Sequence, residues 1–287
     1  MTALKIDLHS HTHYSDRQLS PEELVMRAHN MQVDALAITD HDTTAAIEQA
    51  NAFQAQQTRQ MQIIAGVELS TAWHGFDIHV IGLNVDIHNT QFKQRLDEQS
   101  QSRERRALSI GEKLTKCGLA GVYEKAKTRA GKGQITRAHF ASAMVDMSYV
   151  DSFDSAFKKY LGKGKRAHVK PQWITIEQAV KWIRDAGGKA VLAHPGHYQL
   201  TAKWLRRLLV QFKEAGGIGI EVRHPRISPQ VRQQLAIYAA EYGFEASVGS
   251  DFHYPNKWTE LGRNLSIPDE LTPVWHDWHL DVVEIEK

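Results

Sequence analysis

Short apolar, β-branched runs recur along the chain and alternate with stretches of helical periodicity. The runs are Leu4–Leu8, Ala35–Thr39, Ile63–Leu69, Ile78–Leu83, Ala190–Ala193, Ile218–Val222 and Glu245–Val248, and each reads as a strand. Helix starts lie between several of them. Ser20-Pro21-Glu22-Glu23 combines a capping serine, a proline in the first turn and acids that suit the helix dipole. Asp42-Thr43-Thr44 opens a helix running towards Gln57, and Thr175 opens one that stops at Ala186-Gly187-Gly188. Ser228-Pro229-Gln230 opens another that ends near Tyr242-Gly243. Strands alternating with helices predict a mostly parallel sheet or barrel.

Residues 91–170 break this rhythm. Lys93–Leu119 reads as one long charged helix, Gly131-Lys132-Gly133-Gln134 as a turn, and Thr136–Met147 and Ser152–Leu161 as short helices. Gly162-Lys163-Gly164-Lys165-Arg166 reads as a basic loop. The chain therefore divides into a barrel formed by residues 1–90 and 171–287 and a helical insertion, 91–170, beside the barrel mouth. Charge follows the same division. The overall net charge is +2, yet residues 91–170 hold 18 basic against 8 acidic side chains, leaving the remainder at −8. An acidic body with a basic insert suits cation binding in one part and an anionic substrate in the other. A basic but merely solvated helical surface is the simpler alternative.

The 287 residues allow one large α/β domain with an insert. No apolar run approaches the roughly 20 residues that span a bilayer, and the N-terminus does not read as a signal peptide. Cys117 is the single cysteine, which excludes an internal disulfide and thiolate metal sites. A cytoplasmic protein is expected, and a monomer is assumed.

Sixteen histidines are many for this length, and His9, His11 and His13 alternate within five residues. On an extended segment, His9 and His11 point to the same side, and Asp251-x-His253 repeats that spacing. Polar residues also gather at strand ends: Asp7-Leu8-His9-Ser10-His11, Thr39-Asp40-His41-Asp42, Glu68, His194-Pro195 and Ser250-Asp251-Phe252-His253, with His79 on the fourth strand. The C-terminal ends of strands are where β/α barrels carry their active sites. Nitrogen and oxygen ligands without sulfur suit Mn²⁺, Fe²⁺ or Zn²⁺. Alone, each residue has a simpler role: His79 as a hydrogen-bonded core histidine, Asp16 as a turn cap, Asp40 and Asp42 as caps or supports behind the ligands.

These motifs, in this order, resemble the polymerase-and-histidinol-phosphatase (PHP) family along nearly the whole chain: His9-Ser10-His11 with Ser15-Asp16, Thr39–Asp42, Gly66-Val67-Glu68, His79, Ala193-His194-Pro195 and Gly249–His253. The resemblance implies an α/β fold, a distorted seven-stranded (β/α)7 barrel with a small, mainly helical insertion domain. It also implies two or three divalent metal ions, manganese first, with iron, zinc or magnesium as alternatives. By the same resemblance His9, His11, Glu68 and Asp251 would hold one ion. Glu68 would bridge to a second held by His79 and His194, and Asp16, His41 and His253 would hold a third. Glu68, His194 and Asp251 would be the catalytic core. His13 and Arg17 depart from the family pattern, and His13 is either an extra ligand, a proton donor or a supporting residue.

The insertion, with Gln134–Ala141 and Tyr160-Leu161, is similar to the branch of 3′,5′-nucleoside-bisphosphate phosphatases and 5′-to-3′ exoribonucleases. The expected reaction is hydrolysis at the 3′ oxygen of a 5′-phosphorylated nucleotide, with short RNA or a nucleoside bisphosphate as substrate. Candidate substrate contacts are Arg137, His139, His197, His224, Lys163 and Lys165, with Tyr160, Trp173 or Tyr198 stacking on a base. Two rival readings are a small-molecule phosphatase of the histidinol-phosphatase type and a non-catalytic nucleic-acid-binding module.

Overall fold

A computed structural model describes residues 4–15, 19–255 and 259–280. Seven strands form one sheet in chain order: β1 (Ile6–Asp7), β2 (Ala35–Ile38), β3 (Gln62–Trp73), β4 (Phe76–Leu83), β5 (Lys189–Leu192), β6 (Gly219–Arg223) and β7 (Glu245–Val248). The edges meet: Leu8 N–H donates to the Val248 carbonyl at 3.1 Å, and Ser10 bridges Phe252. The sheet thus curls into a distorted barrel, as expected from the alternation of strands and helices.

The helices are α1 (Pro21–Asn30), α2 (Ile47–Gln54), α3 (Thr90–Lys116), α4 (Val122–Ala130), α5 (Arg137–Asp146), α6 (Phe153–Ala156), α7 (Ile176–Asp185), α8 (Ala202–Glu214) and α9 (Pro229–Tyr242). The capping signals work as written in the sequence. Ser20 with Glu23 and Thr175 with Gln178 form reciprocal capping boxes. Gly243 stops α9 in the left-handed region.

Several elements differ from expectation, each for a physical reason. The helix expected to open at Asp42 starts only at Ile47, because Asp42 sits at φ 52° with its carboxylate buried in tertiary contacts. The run Ser152–Leu161 is α6 followed by one π turn over Phe157–Leu161. Helix α4 starts after Gly121 without a side-chain cap, whereas α8 starts at Thr201, whose hydroxyl accepts from the Trp204 N–H at 3.4 Å. The first strand shrinks to two residues, Ile6–Asp7, while β3 runs on to Trp73 and turns back through His74 and Gly75, both at positive φ.

That tight turn makes β4 antiparallel to β3 and β5, whereas all other pairs are parallel. His79 therefore lies in the first half of its strand and still faces the mouth, since β4 runs towards the barrel floor.

Apolar packing forms several clusters. One fills the barrel floor around Ile6, Leu8, Ile64, Ile81 and Val191. Another lies within the helical segment, around Ile110, Leu114, Val122, Phe140, Met144 and Leu161. Helix α3 is shared, since Phe92 and Leu96 join the barrel-side core and Ala107, Ile110 and Leu114 join the helical cluster. Among the described residues, no helix is long and apolar enough to cross a membrane.

Candidate metal centre

The ends of β1, β2, β5 and β7, with the middle of β3 and β4, deliver their polar side chains to one point at the barrel mouth. His9 and His11 follow β1 and are almost fully buried. Their Nε2 atoms face each other at 3.1 Å. Glu68 Oε2 lies 3.5 Å from His9 Nε2 and 3.4 Å from His11 Nε2, and Asp251 Oδ1 lies 3.4 and 3.3 Å from the same two atoms. Each of the two carboxylate oxygens thus stands 3.3–3.5 Å from both nitrogens. Tetrahedral ligands about 2.0–2.2 Å from one ion would lie about 3.3–3.6 Å apart. The distances of each oxygen from the two nitrogens suit that spacing, and His9, His11 and Asp251 together could hold a divalent cation.

Glu68 also turns its other oxygen the opposite way. Oε1 lies 2.8 Å from His79 Nδ1 and 3.0 Å from His194 Nε2, while Oε2 also lies 2.9 Å from His41 Nδ1. Among the described residues three groups of ligand-type atoms result, namely His9–His11–Asp251, His11–His41–Glu68 and Glu68–His79–His194. His41 thus joins Glu68 and His11, and His253 Nδ1 lies 3.4 Å from Asp251 Oδ1. Asp16 and Arg17 lie outside the described residues. His13 belongs to none of the three groups, and its ring rests against Tyr14.

The electrostatics agree with a cation site. Burial alone would raise the Glu68 carboxyl, but His41, His79 and His9 outweigh it and hold the group well below the usual carboxylate range. Burial is likewise overcome at Asp251 by His253, His9, His11 and His194. Burial keeps His11 and His79 below the ordinary imidazole value, so both keep a free lone pair at neutral pH.

Residues behind the ligands fix their orientation. Glu221, fully buried on β6, accepts from His9 Nδ1 at 3.0 Å and from the His194 N–H at 2.5 Å. Asp40 accepts from the Thr12 amide, the Thr12 hydroxyl and the Ser15 hydroxyl at 2.5–2.7 Å. Tyr198 accepts from the His79 N–H at 2.9 Å. Gly249 passes so close to His9 that a Cβ there would stand 2.2 Å from the His9 Cβ. Sequence reasoning misses Glu221, although a carboxylate inside the apolar run Ile218–Val222 is a usable signal.

Beside the centre lies a cavity of about 190 Å³ between barrel and helical segment. His41, Ser70, Asp77 and His79 line it from the barrel; Arg103, Arg106, Arg137, Phe157 and Trp173 line it from the other side. Arg103 is committed to Asp42 at 2.5 Å, and Arg137 lies 3.6 Å from Asp77. Arg106 has a buried Nη2 without a partner. Burial and the neighbouring Arg137 push Arg106 down to about 10, so it remains a cation at neutral pH. Arg103 and Arg106 do not stand out in the sequence, being two of many charges on one long helix.

The other expected substrate contacts are scattered. His139 turns back onto its own helix start, where its Nδ1 accepts from the Thr136 N–H at 3.1 Å. Lys163 donates to the Gly75 carbonyl at 2.9 Å and lies over the Phe76 ring, tying the basic loop to the β3–β4 turn. Lys165 is exposed. His197 donates to the Pro225 carbonyl at 3.0 Å and covers His224, which is buried and pushed down to about 2 by burial, His197 and His194.

A curled β/α sheet with buried histidines and carboxylates converging at its mouth defines a metal-binding barrel protein. The PHP domain model matches residues 7–223, and the chain belongs to the PHP domain family. It is 48% identical over 276 residues to the 5′-3′ exoribonuclease Rnm of Escherichia coli, covering 96% of this chain and 94% of that one. It is 36% identical to a 3′,5′-nucleoside bisphosphate phosphatase of Chromobacterium violaceum, covering 95% of each chain. A solved amidohydrolase structure from the same species, with bound sulfate and no metal, superposes with a TM-score of 0.87 at 36% identity, covering 94% of both chains.

Proposed function

We propose that the chain is a hydrolase that cleaves the 3′ phosphoester of 5′-phosphorylated nucleotides. It removes 5′-mononucleotides stepwise from the 5′ end of short RNA and releases phosphate from nucleoside 3′,5′-bisphosphates. The relatives named as an exoribonuclease and as a bisphosphate phosphatase support both halves, since one bond and one orientation serve both substrates. The observation that carries the reading is the arginine-lined cavity that adjoins the histidine–carboxylate cluster through His41 and His79.

His9, His11, Glu68 and Asp251 would hold one ion, His79 and His194 a second bridged by Glu68, and His41, His253 and Asp16 a third. We expect manganese, which suits mixed nitrogen and oxygen ligands. When bound, such ions lower the pKa of a water and offset charge developing on phosphorus. The chain's own residues do the rest. Glu68, His194 and Asp251 form the catalytic core. Glu221 and Tyr198 hold His9, His194 and His79 in register. Arg137, with Arg106 beside it, grips the non-scissile 5′ phosphate, and Trp173 or Phe157 offers a face to the base. Residues 91–170 thus act as the substrate-binding part, and the barrel as the metal-binding part. Lys163 and Lys165 add positive charge on the exposed basic loop. The single cysteine and the RNA substrate fit a cytoplasmic enzyme.

The test compares a 5′-phosphorylated RNA tetramer with a nucleoside 3′,5′-bisphosphate, each with Mn²⁺, Mg²⁺ or Zn²⁺. Release of 5′-mononucleotide from both is expected. Turnover of histidinol phosphate alone, or tight RNA binding without turnover after metal loading, would replace this reading by one of its rivals.

A further inference from the structure

The arginine-lined cavity beside the histidine cluster has a counterpart. A second cavity, of about 450 Å³, lies between the C-terminal end of β6, α9 and residues 268–271. Arg223 and Arg232 line it over an apolar floor that includes Val222, Ala236, Ile237 and Leu271, with Glu270 as its carboxylate. Arg226, on the loop between β6 and α9, is exposed, with its backbone held at φ 61°.

Among the described residues, none of these three arginines pairs with a carboxylate. Arg223 donates instead to the carbonyl and hydroxyl of Ser266, and Arg232 has a buried Nε without a partner. Burial and the neighbouring Arg232 lower Arg223. Two cations without carboxylate partners beside an apolar floor, with exposed Arg226 three residues beyond Arg223, favour a polyanion with flat apolar groups.

A row of imidazole rings leads from the first cavity to the end of β6. His41 and His79, which line the first cavity, have ring centroids 5.0 Å apart. The row continues through His79–His194 at 5.3 Å, His194–His197 at 5.8 Å and His197–His224 at 4.3 Å. His224 adjoins Arg223 in the chain, and Arg223 lines the second cavity. The helical segment forms one wall of the first cavity, so a strand reaching it ends there.

We propose that the face formed by Arg223, Arg226 and Arg232 is the subsite for the RNA downstream of the scissile phosphate. The terminal 5′ nucleotide occupies the first cavity, the scissile phosphate lies at the histidine cluster, and the remaining strand leaves past His197 across the arginine face. This rests on the functional reading above and adds to it a direction for the strand. A nucleoside bisphosphate has no nucleotide beyond the scissile phosphate, so it never reaches this face.

The test uses the full chain loaded with Mn²⁺. For the wild type, kcat/KM should rise from a 5′-phosphorylated RNA dinucleotide to the trinucleotide and tetranucleotide. An Arg226→Asn, Arg232→Gln double variant should flatten that rise and lower kcat/KM on the tetramer by about tenfold or more, given roughly 1.5–3 kcal/mol for each hydrogen bond to a charged group. Activity on the bisphosphate should stay within about twofold of wild type and thereby report folding. The dependence of tetramer kcat/KM on salt should also become shallower, by roughly 0.7 in log–log slope for each phosphate that is no longer neutralised. Arg226→Asn alone, at an exposed site where asparagine tolerates positive φ, should give a smaller change of the same kind.

Equal losses on tetramer and bisphosphate by Arg226→Asn, or a wild-type rate independent of RNA length, would overturn this inference alone. Failure of the wild type to hydrolyse either substrate would overturn the functional reading and this one with it.

Discussion

At the residue scale, the centre is built around one carboxylate whose two oxygens face different imidazoles. Glu68 directs Oε2 to His9, His11 and His41 and Oε1 to His79 and His194. Replacing one of those oxygens by an amide NH₂ removes a lone pair where two groups of ligands meet. Glu68→Gln should therefore lower turnover on every substrate by about 10³-fold, with bound metal reduced by elemental analysis. Near-normal turnover with manganese in excess would remove Glu68 from the site. Glu221 plays a different part, holding His9 Nδ1 and the His194 backbone without reaching the cluster's interior. Loss of such a supporting carboxylate typically costs 10- to 100-fold in metal affinity. Glu221→Gln should show that loss in a manganese titration, with activity largely restored by excess metal. An unchanged affinity would mean that His9 needs no such support. Backbone strain gathers in the same place, with Asp42, His194 and Asp251 all at positive φ. Such strain persists at functional sites where surrounding contacts over-determine it.

At the element scale, α3 couples the barrel to the helical segment. Its Arg103 lies against Asp42, which also accepts from the Ser70 amide at 2.8 Å. Both charges are buried. Removing one leaves the other uncompensated, so Arg103→Ala should destabilise the fold by about 3–5 kcal/mol in denaturant unfolding. A loss below about 1 kcal/mol would show that water reaches Asp42 readily. Helix α5 brings Arg137 to the cavity from its first turn. Arg137→Ala should lower kcat/KM by roughly 10- to 150-fold on 5′-phosphorylated substrates, from about 1.5–3 kcal/mol per charge-assisted bond. It should barely affect 5′-hydroxyl RNA. Equal losses on the two would mean that Arg137 does not read the 5′ phosphate.

At the scale of the whole molecule, the candidate centre draws its ligand-type side chains from both ends of the chain, His9 to Asp251. An ion held there links the first strand to the last. A ligand that binds only the folded state stabilises it by about 4 kcal/mol at a thousandfold excess over its Kd. Saturation with Mn²⁺ should thus raise Tm by several degrees over chelator-treated protein, and a Tm indifferent to both would argue against a cluster that closes the barrel. The folded chain also keeps the charge asymmetry seen in its sequence, with the basic excess at 91–170.

The strands, most helix starts and the family were legible in the chain, because apolar periodicity, caps and ligand spacing are local signals. His9 and His11 announce themselves by alternation, and Ser20 and Thr175 by their caps. What the tertiary structure decided was non-local. Asp42 has the sequence context of a helix cap, yet Arg103 and Ser70 claim its carboxylate and its backbone is held at positive φ. His79 faces the mouth because β4 runs antiparallel, a consequence of a two-residue turn at His74 and Gly75. Glu221 and Arg106 gain meaning only from neighbours distant in sequence, since a side chain's hydrogen-bond partner or lack of one is set by packing. Residue spacing carries direction along one element; which elements meet depends on how the sheet closes, and that is decided by the chain as a whole.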